Sequence, residues 1–113
     1  MKKAFLLATV LAAVPLVARA EVWKNVSLVD TMCSSKEKVK KDPDAHPTSC
    51  ALQCAKGGFG IVAADGKFLK FDQAGNDQAV AALKATKKTD HLRATVDGEL
   101  KGDTIAVKSV SLD

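Results

Sequence analysis

The stretch His91-Leu92-Arg93-Ala94-Thr95-Val96-Asp97-Gly98-Glu99-Leu100-Lys101 alternates between apolar or small residues and polar ones. Successive side chains of a strand point to opposite faces, so Leu92, Ala94, Val96, Gly98 and Leu100 share one face while Arg93, Thr95, Asp97 and Glu99 share the other. One face toward a core and one toward water is the pattern of an antiparallel sheet rather than of a buried parallel one. After Lys101-Gly102-Asp103, the run from Thr104 to Leu112 reads as the next strand, but its apolar phase shifts from Ile105 and Val107 to Val110 and Leu112. A bulge near Lys108-Ser109 restores the register, a device that small closed barrels use.

Working back from this pair, Phe59 to Ala64 and Lys67 to Phe71 flank Asp65-Gly66, a dipeptide that tolerates positive φ and is expected to form a tight type I′ hairpin. Asn76 is a candidate cap for a helix through about Ala85, with Ala79, Val80 and Leu83 as its apolar stripe and Lys84, Lys87 and Lys88 near the negative end of its dipole. Val22 to Asp30 reads as the first strand, with Val22, Val26 and Leu28 on one side and Trp23 and Val29 on the other. Ser34 to Ala45 is polar and is expected to be an exposed loop. Pro47 suits the first turn of a helix over Thr48 to Lys56, which makes His46 a candidate cap and Gly57-Gly58 the stop. Set apart from that helical insertion, the order is three strands, a helix and two strands. The fold class is therefore mainly β, a small five-stranded OB-like Greek-key barrel with a short Cys-bearing helix after strand 1 and a helix between strands 3 and 4. An open α+β sheet is the alternative.

The first 20 residues read as a secretory signal: Lys2 and Lys3, an apolar run from Ala4 to Val17, then Ala18-Arg19-Ala20, with small residues where a signal peptidase needs them. The run is interrupted by Pro15 and is shorter than the roughly 20 residues a bilayer span requires, so no stable membrane span is expected after cleavage. Residues 21–113 make one domain, expected in the periplasm or outside the cell. Cleavage removes Lys2, Lys3 and Arg19 from 17 basic residues and none of the 13 acidic ones, so the net charge falls from +4 to +1. Acids and bases then intermix along the chain, which argues against a nucleic-acid partner. Lys36, Lys38, Lys40 and Lys41 form the local basic run, read as a solvated loop. Phe59, Phe68 and Phe71 lie on the strands with which OB barrels often bind ligands, but the barrel core needs at least two of them, leaving too few aromatic faces to stack several bases.

The chemistry is concentrated in Cys33, His46, Cys50 and Cys54. Three cysteines cannot all pair within one molecule. Cys50 and Cys54 are spaced to project from one helix face, a spacing that suits two ligands of one ion better than a mutual disulfide. With Cys33 and His46 they would complete a tetrahedral Cys3His site of the kind structural zinc occupies. Met32 beside Cys33 offers a softer set for Cu(I), although a core-filling methionine is the plainer reading. The competing reading is a disulfide from Cys33 to Cys50 or Cys54, closing a loop of about 20 residues and stabilising the fold by about 3 kcal/mol. His91 reads as an exposed edge residue. Nothing in the sequence resembles a serine triad, no pair of carboxylates can be argued onto one face, and Gly57-Gly58-Phe59-Gly60 lacks the Lys-Ser/Thr of a true phosphate loop.

The motif Cys33…His46-Pro47-Thr48-Ser49-Cys50-Ala51-Leu52-Gln53-Cys54, followed by Gly60, the Asp65-Gly66-Lys67 hairpin and the terminal Gly102-Asp103-Thr104-Ile105 segment, resembles small uncharacterised exported bacterial proteins with an OB-like barrel and a Cys/His cluster. The resemblance covers most of residues 21–113 and implies a fold and a compartment. The expected function is an exported noncatalytic binding module with zinc or copper on Cys33, His46, Cys50 and Cys54. The alternative is a disulfide-stabilised extracytoplasmic domain that binds a small molecule or a protein. A thiol oxidoreductase ranks third, because Cys50 and Cys54 at this spacing supply a reactive pair poorly.

Overall fold

The computed structural model describes residues 19–113, so residues 1–18 of the expected signal lie outside the described part. Its strands are β1 (Arg19–Asp30), β2 (Phe59–Val62), β3 (Phe68–Phe71), β4 (Arg93–Lys101) and β5 (Thr104–Leu112). Its α-helices are α1 (Thr31–Ser34), α2 (Glu37–Lys41), α3 (Thr48–Gln53) and α4 (Gln73–Ala85). The strands close in the order β1-β2-β3-β5-β4 because β1 pairs with β2 through its second half and with β4 along most of its length. The β3–β5 contact is parallel and the remaining pairings are antiparallel. This is the closed five-stranded barrel read from the alternation, and closure rules out the open sheet.

The barrel interior is filled by Leu28, Phe59, Ile61, Leu92, Ala94, Val96 and Ile105, each at most 2 % exposed. Ala79 and Leu83 of α4 join them as the expected stripe, with Val80 packed at its margin. The helix approaches closely because Gly75 has no side chain: a Cβ there would lie 2.4 Å from Val107 Cγ2. Phe59 and Phe71 are core residues, whereas Phe68 packs on the outer side of the barrel.

The bulge falls where the phase shift required it. Asp97 pairs with Ser109 and Gly98 with Val107, which leaves Lys108 without a partner. A second irregularity was not visible in the pattern. Asn25 takes φ 51° and the β1 register slips between Trp23 and Val26, so Val22 is 53 % exposed while Val26 is 9 % exposed. The expected grouping of Val22 with Val26 and Leu28 is therefore wrong, because the bulge turns the strand over. The Asp65-Gly66 hairpin is also corrected. Gly66 alone takes positive φ, and its amide donates to the Ala63 carbonyl at 2.9 Å, giving a longer turn closed by a glycine bulge in place of type I′.

The cap of α4 is Asp72, whose Oδ1 accepts from the Gly75 amide at 3.0 Å. Asn76, the expected cap, lies inside the helix and uses its Oδ1 to accept from the Phe59 amide at 2.8 Å. The region expected as an exposed loop contains α2 and a 3-10 turn over Pro43–Ala45. A single apolar residue within it, Val39, is buried against Val29 and Cys33 on the outside of the barrel. One residue has no periodicity, so nothing in the pattern distinguished this anchored segment from a free loop.

Candidate metal centre

The centre forms where β1 ends. Asp30 is fully buried and caps α1, its Oδ2 accepting from the Cys33 amide at 2.9 Å. That cap turns the chain so that the Cys33 side chain, 5 % exposed, comes back toward the carboxylate that starts the helix. The other carboxylate oxygen, Oδ1, lies 2.6 Å from His46 Nε2. His46 is 8 % exposed. One potential ligand atom from each of Asp30, Cys33 and His46 lies within 4.8 Å of the other two. These three residues can hold a metal ion.

His46 is delivered by the turn over Pro43–Ala45, and Asp44 pins that turn to the barrel. Asp44 Oδ1 accepts from Ser27 Oγ at 2.7 Å, its Oδ2 accepts from Arg93 Nη2 at 2.6 Å, and its carbonyl accepts from the His91 amide at 2.7 Å. Arg93 also donates to the Asn25 carbonyl at 2.8 Å, so the β1 bulge supplies one of the anchors. The Arg93 guanidinium, and then the Ser27 hydroxyl, hold the Asp44 carboxyl below its ordinary range despite partial burial. His46 does not cap α3 as expected. Pro47 occupies the cap position, which frees the imidazole to turn toward Asp30.

Burial pushes the Cys33 thiol up to about 11, with smaller contributions from the Asp30 carboxylate and the Cys54 thiol beside it. A thiol held neutral is a weak nucleophile and becomes a thiolate when a cation replaces its proton.

Of the four residues expected as ligands, Cys33 and His46 come together at the trio. Cys54 packs against the Val29, Cys33 and Val39 cluster, beside Cys33. Cys50, half-buried, lines a cleft of about 310 Å³ together with Cys33, Val39, His46 and Pro47. All three cysteines are free thiols, so the structural disulfide weighed from sequence is not formed. Met32, considered as a core residue or a soft ligand, is instead 59 % exposed and leans over Gly57. His91 pairs at the surface with Asp90 through Nδ1 at 2.9 Å.

The member that sequence reading missed is Asp30. The sequence pattern makes it the last residue of the first strand and no more. The available signal was its residue type just before a change of structure, where an aspartate with a free amide three positions on is a preferred helix cap.

Compared with family models, curated proteins and solved structures, the chain matches none.

Proposed function

We propose that this chain is an exported, noncatalytic metal-binding module whose centre is Asp30, Cys33 and His46, with zinc the best-suited ion. The observation that carries the reading is the mutual approach of these three buried donors to within 4.8 Å. A carboxylate, an imidazole and a thiolate form a mixed hard and soft set that suits a borderline cation, whereas Cu(I) favours sulfur without carboxylate. Binding would replace the Cys33 proton and break the His46 Nε2–Asp30 hydrogen bond, so that one cation takes over the contacts that now run through Asp30. The fourth position would lie toward the cleft, where Cys50 or water can complete a tetrahedron. Export is supported by Lys2-Lys3, the apolar run and Ala18-Arg19-Ala20. Among the described residues no helix is long and apolar enough to cross a membrane.

The test is cobalt(II) titration of reduced protein purified from the exported fraction, whose intact mass is expected to correspond to a start at Glu21. A thiolate-to-cobalt absorption band that saturates at one equivalent is the expected result. Cys33→Ala abolishes the band, and His46→Ala weakens binding by more than the roughly 100-fold that loss of an outer partner costs. An unchanged titration in Cys33→Ala refutes the centre, and a mass retaining Met1 to Ala20 refutes export by cleavage.

A further inference from the structure

Cys54 lies beside the trio without belonging to it. It caps the carboxyl end of α3 and packs into the small cluster of Val29, Cys33 and Val39, which Val62 and Phe68 close from the barrel side. Its thiol is the neighbouring sulfur that, after burial and Asp30, contributes to holding the Cys33 proton. Cys50 lies one turn away and lines the cleft that Cys33 also borders, whereas Cys54 packs into the cluster that holds Cys33. Cys33 is therefore shared between two arrangements, one with Asp30 and His46 and one with Cys54. A sulfur committed to a disulfide has no thiolate left to bind metal.

We propose that Cys33 and Cys54 form a reversible disulfide that excludes metal from the Asp30, Cys33 and His46 centre, so that oxidation by a small-molecule disulfide releases the ion. The proposal rests on the metal reading above and adds its regulation. Half-buried Cys54 is the more accessible of the two and reacts first. Its sulfur gives up its proton as it attacks one sulfur of the reagent RSSR, and the RS⁻ displaced from the broken S–S bond takes up that proton. Cys33 then attacks the Cys54 sulfur of the mixed disulfide, and the second RS⁻ leaves with the Cys33 proton or, from loaded protein, with a proton from solvent as the metal departs. Two protein thiols thereby lose two electrons to the S–S bond of the reagent, giving one protein disulfide and two RSH. Asp30 and His46 return to their hydrogen bond.

The test treats the cobalt(II)-loaded full chain with glutathione disulfide, follows release with a chromophoric chelator, and maps linked peptides by mass spectrometry. One equivalent of cobalt is expected to leave as a Cys33–Cys54 peptide accumulates, and excess reduced glutathione restores uptake. Cys54→Ser, with folding checked by circular dichroism, keeps its cobalt through the same oxidation, while Cys50→Ser still forms the link. A Cys33–Cys50 link, metal retained by the oxidised protein, or equal release from Cys54→Ser would each overturn the proposal. Reduced protein that takes up no cobalt removes the metal reading and the gating with it, while the peptide map still decides the disulfide separately.

Discussion

The barrel and the segment from Thr31 to Gly58 that interrupts it are held by different forces. The barrel has a continuous apolar interior from Leu28 to Val107 to which every strand contributes. The inserted segment has three buried apolar anchors of its own, Cys33, Val39 and Ala51, and is otherwise fastened by polar contacts: Asp30 to Cys33 and His46, and Asp44 to Ser27 and Arg93. Nonpolar burial is non-directional and tolerates small displacements, while a buried carboxylate requires its partners at hydrogen-bond distance. The difference teaches that the barrel is the stable platform and the insertion is the part whose geometry depends on a few directional contacts.

The largest effect is expected where the platform itself is cut. Phe59→Ala removes a fully buried ring and should cost about 3–5 kcal/mol in urea unfolding, lowering the barrel and the insertion together. A cost below about 1 kcal/mol would mean that the barrel interior does not carry stability as the comparison requires. Asp30→Ala sharpens the contrast at the seam, because it strips the α1 cap and leaves His46 buried without its carboxylate. A loss of about 3 kcal/mol is expected. Asp30→Asn should lose less, since its amide oxygen can still accept from the Cys33 amide. Hydrogen exchange should show both variants opening the insertion before the barrel. Uniform acceleration across β4 and β5 would instead make the two regions one cooperative unit.

The smallest effect is expected at Asp44, whose pair with Arg93 is partly solvated, with side chains 20 % and 39 % exposed. Asp44→Asn should cost about 1 kcal/mol near neutral pH. The sign with pH follows from the direction of the shift. The Asp44 carboxyl is held below its ordinary value in the fold, so the unfolded chain takes up the proton first as pH falls. The stabilisation is present above the ordinary carboxylate range and disappears as pH drops through the lower folded value. Wild type and Asp44→Asn should therefore differ at neutral pH and converge in acid. A constant difference down to the acid limit would show that the carboxylate charge is not what pins the turn.

Much of the barrel was legible because its signals are local and repeat. Alternation from Leu92 to Leu100 assigned both faces of β4, and the phase break after Val107 located the bulge that the structure places at Lys108. The Asn25 bulge was not legible, since the groups that meet it, such as Arg93, which donates to the Asn25 carbonyl, lie far along the chain. The same limit applied to the caps. Asp72 and Asn76 are both good cap residues by type, and only the position of the Phe59 amide, brought beside the helix by β2, assigns Asn76 to a different task.

By itself the sequence determined a five-stranded barrel with a Cys/His-bearing insertion, because strand periodicity, glycine turns and residue chemistry are properties of neighbours in the chain. Which of those donors meet was decided by the tertiary structure alone. Asp30 stands 16 positions from His46, and the two reach 2.6 Å because β1 ends beside a turn that Ser27 and Arg93 hold through Asp44. No short-range pattern encodes that distance; it exists once the closed barrel has brought its first and fourth strands together and fixed the turn between them.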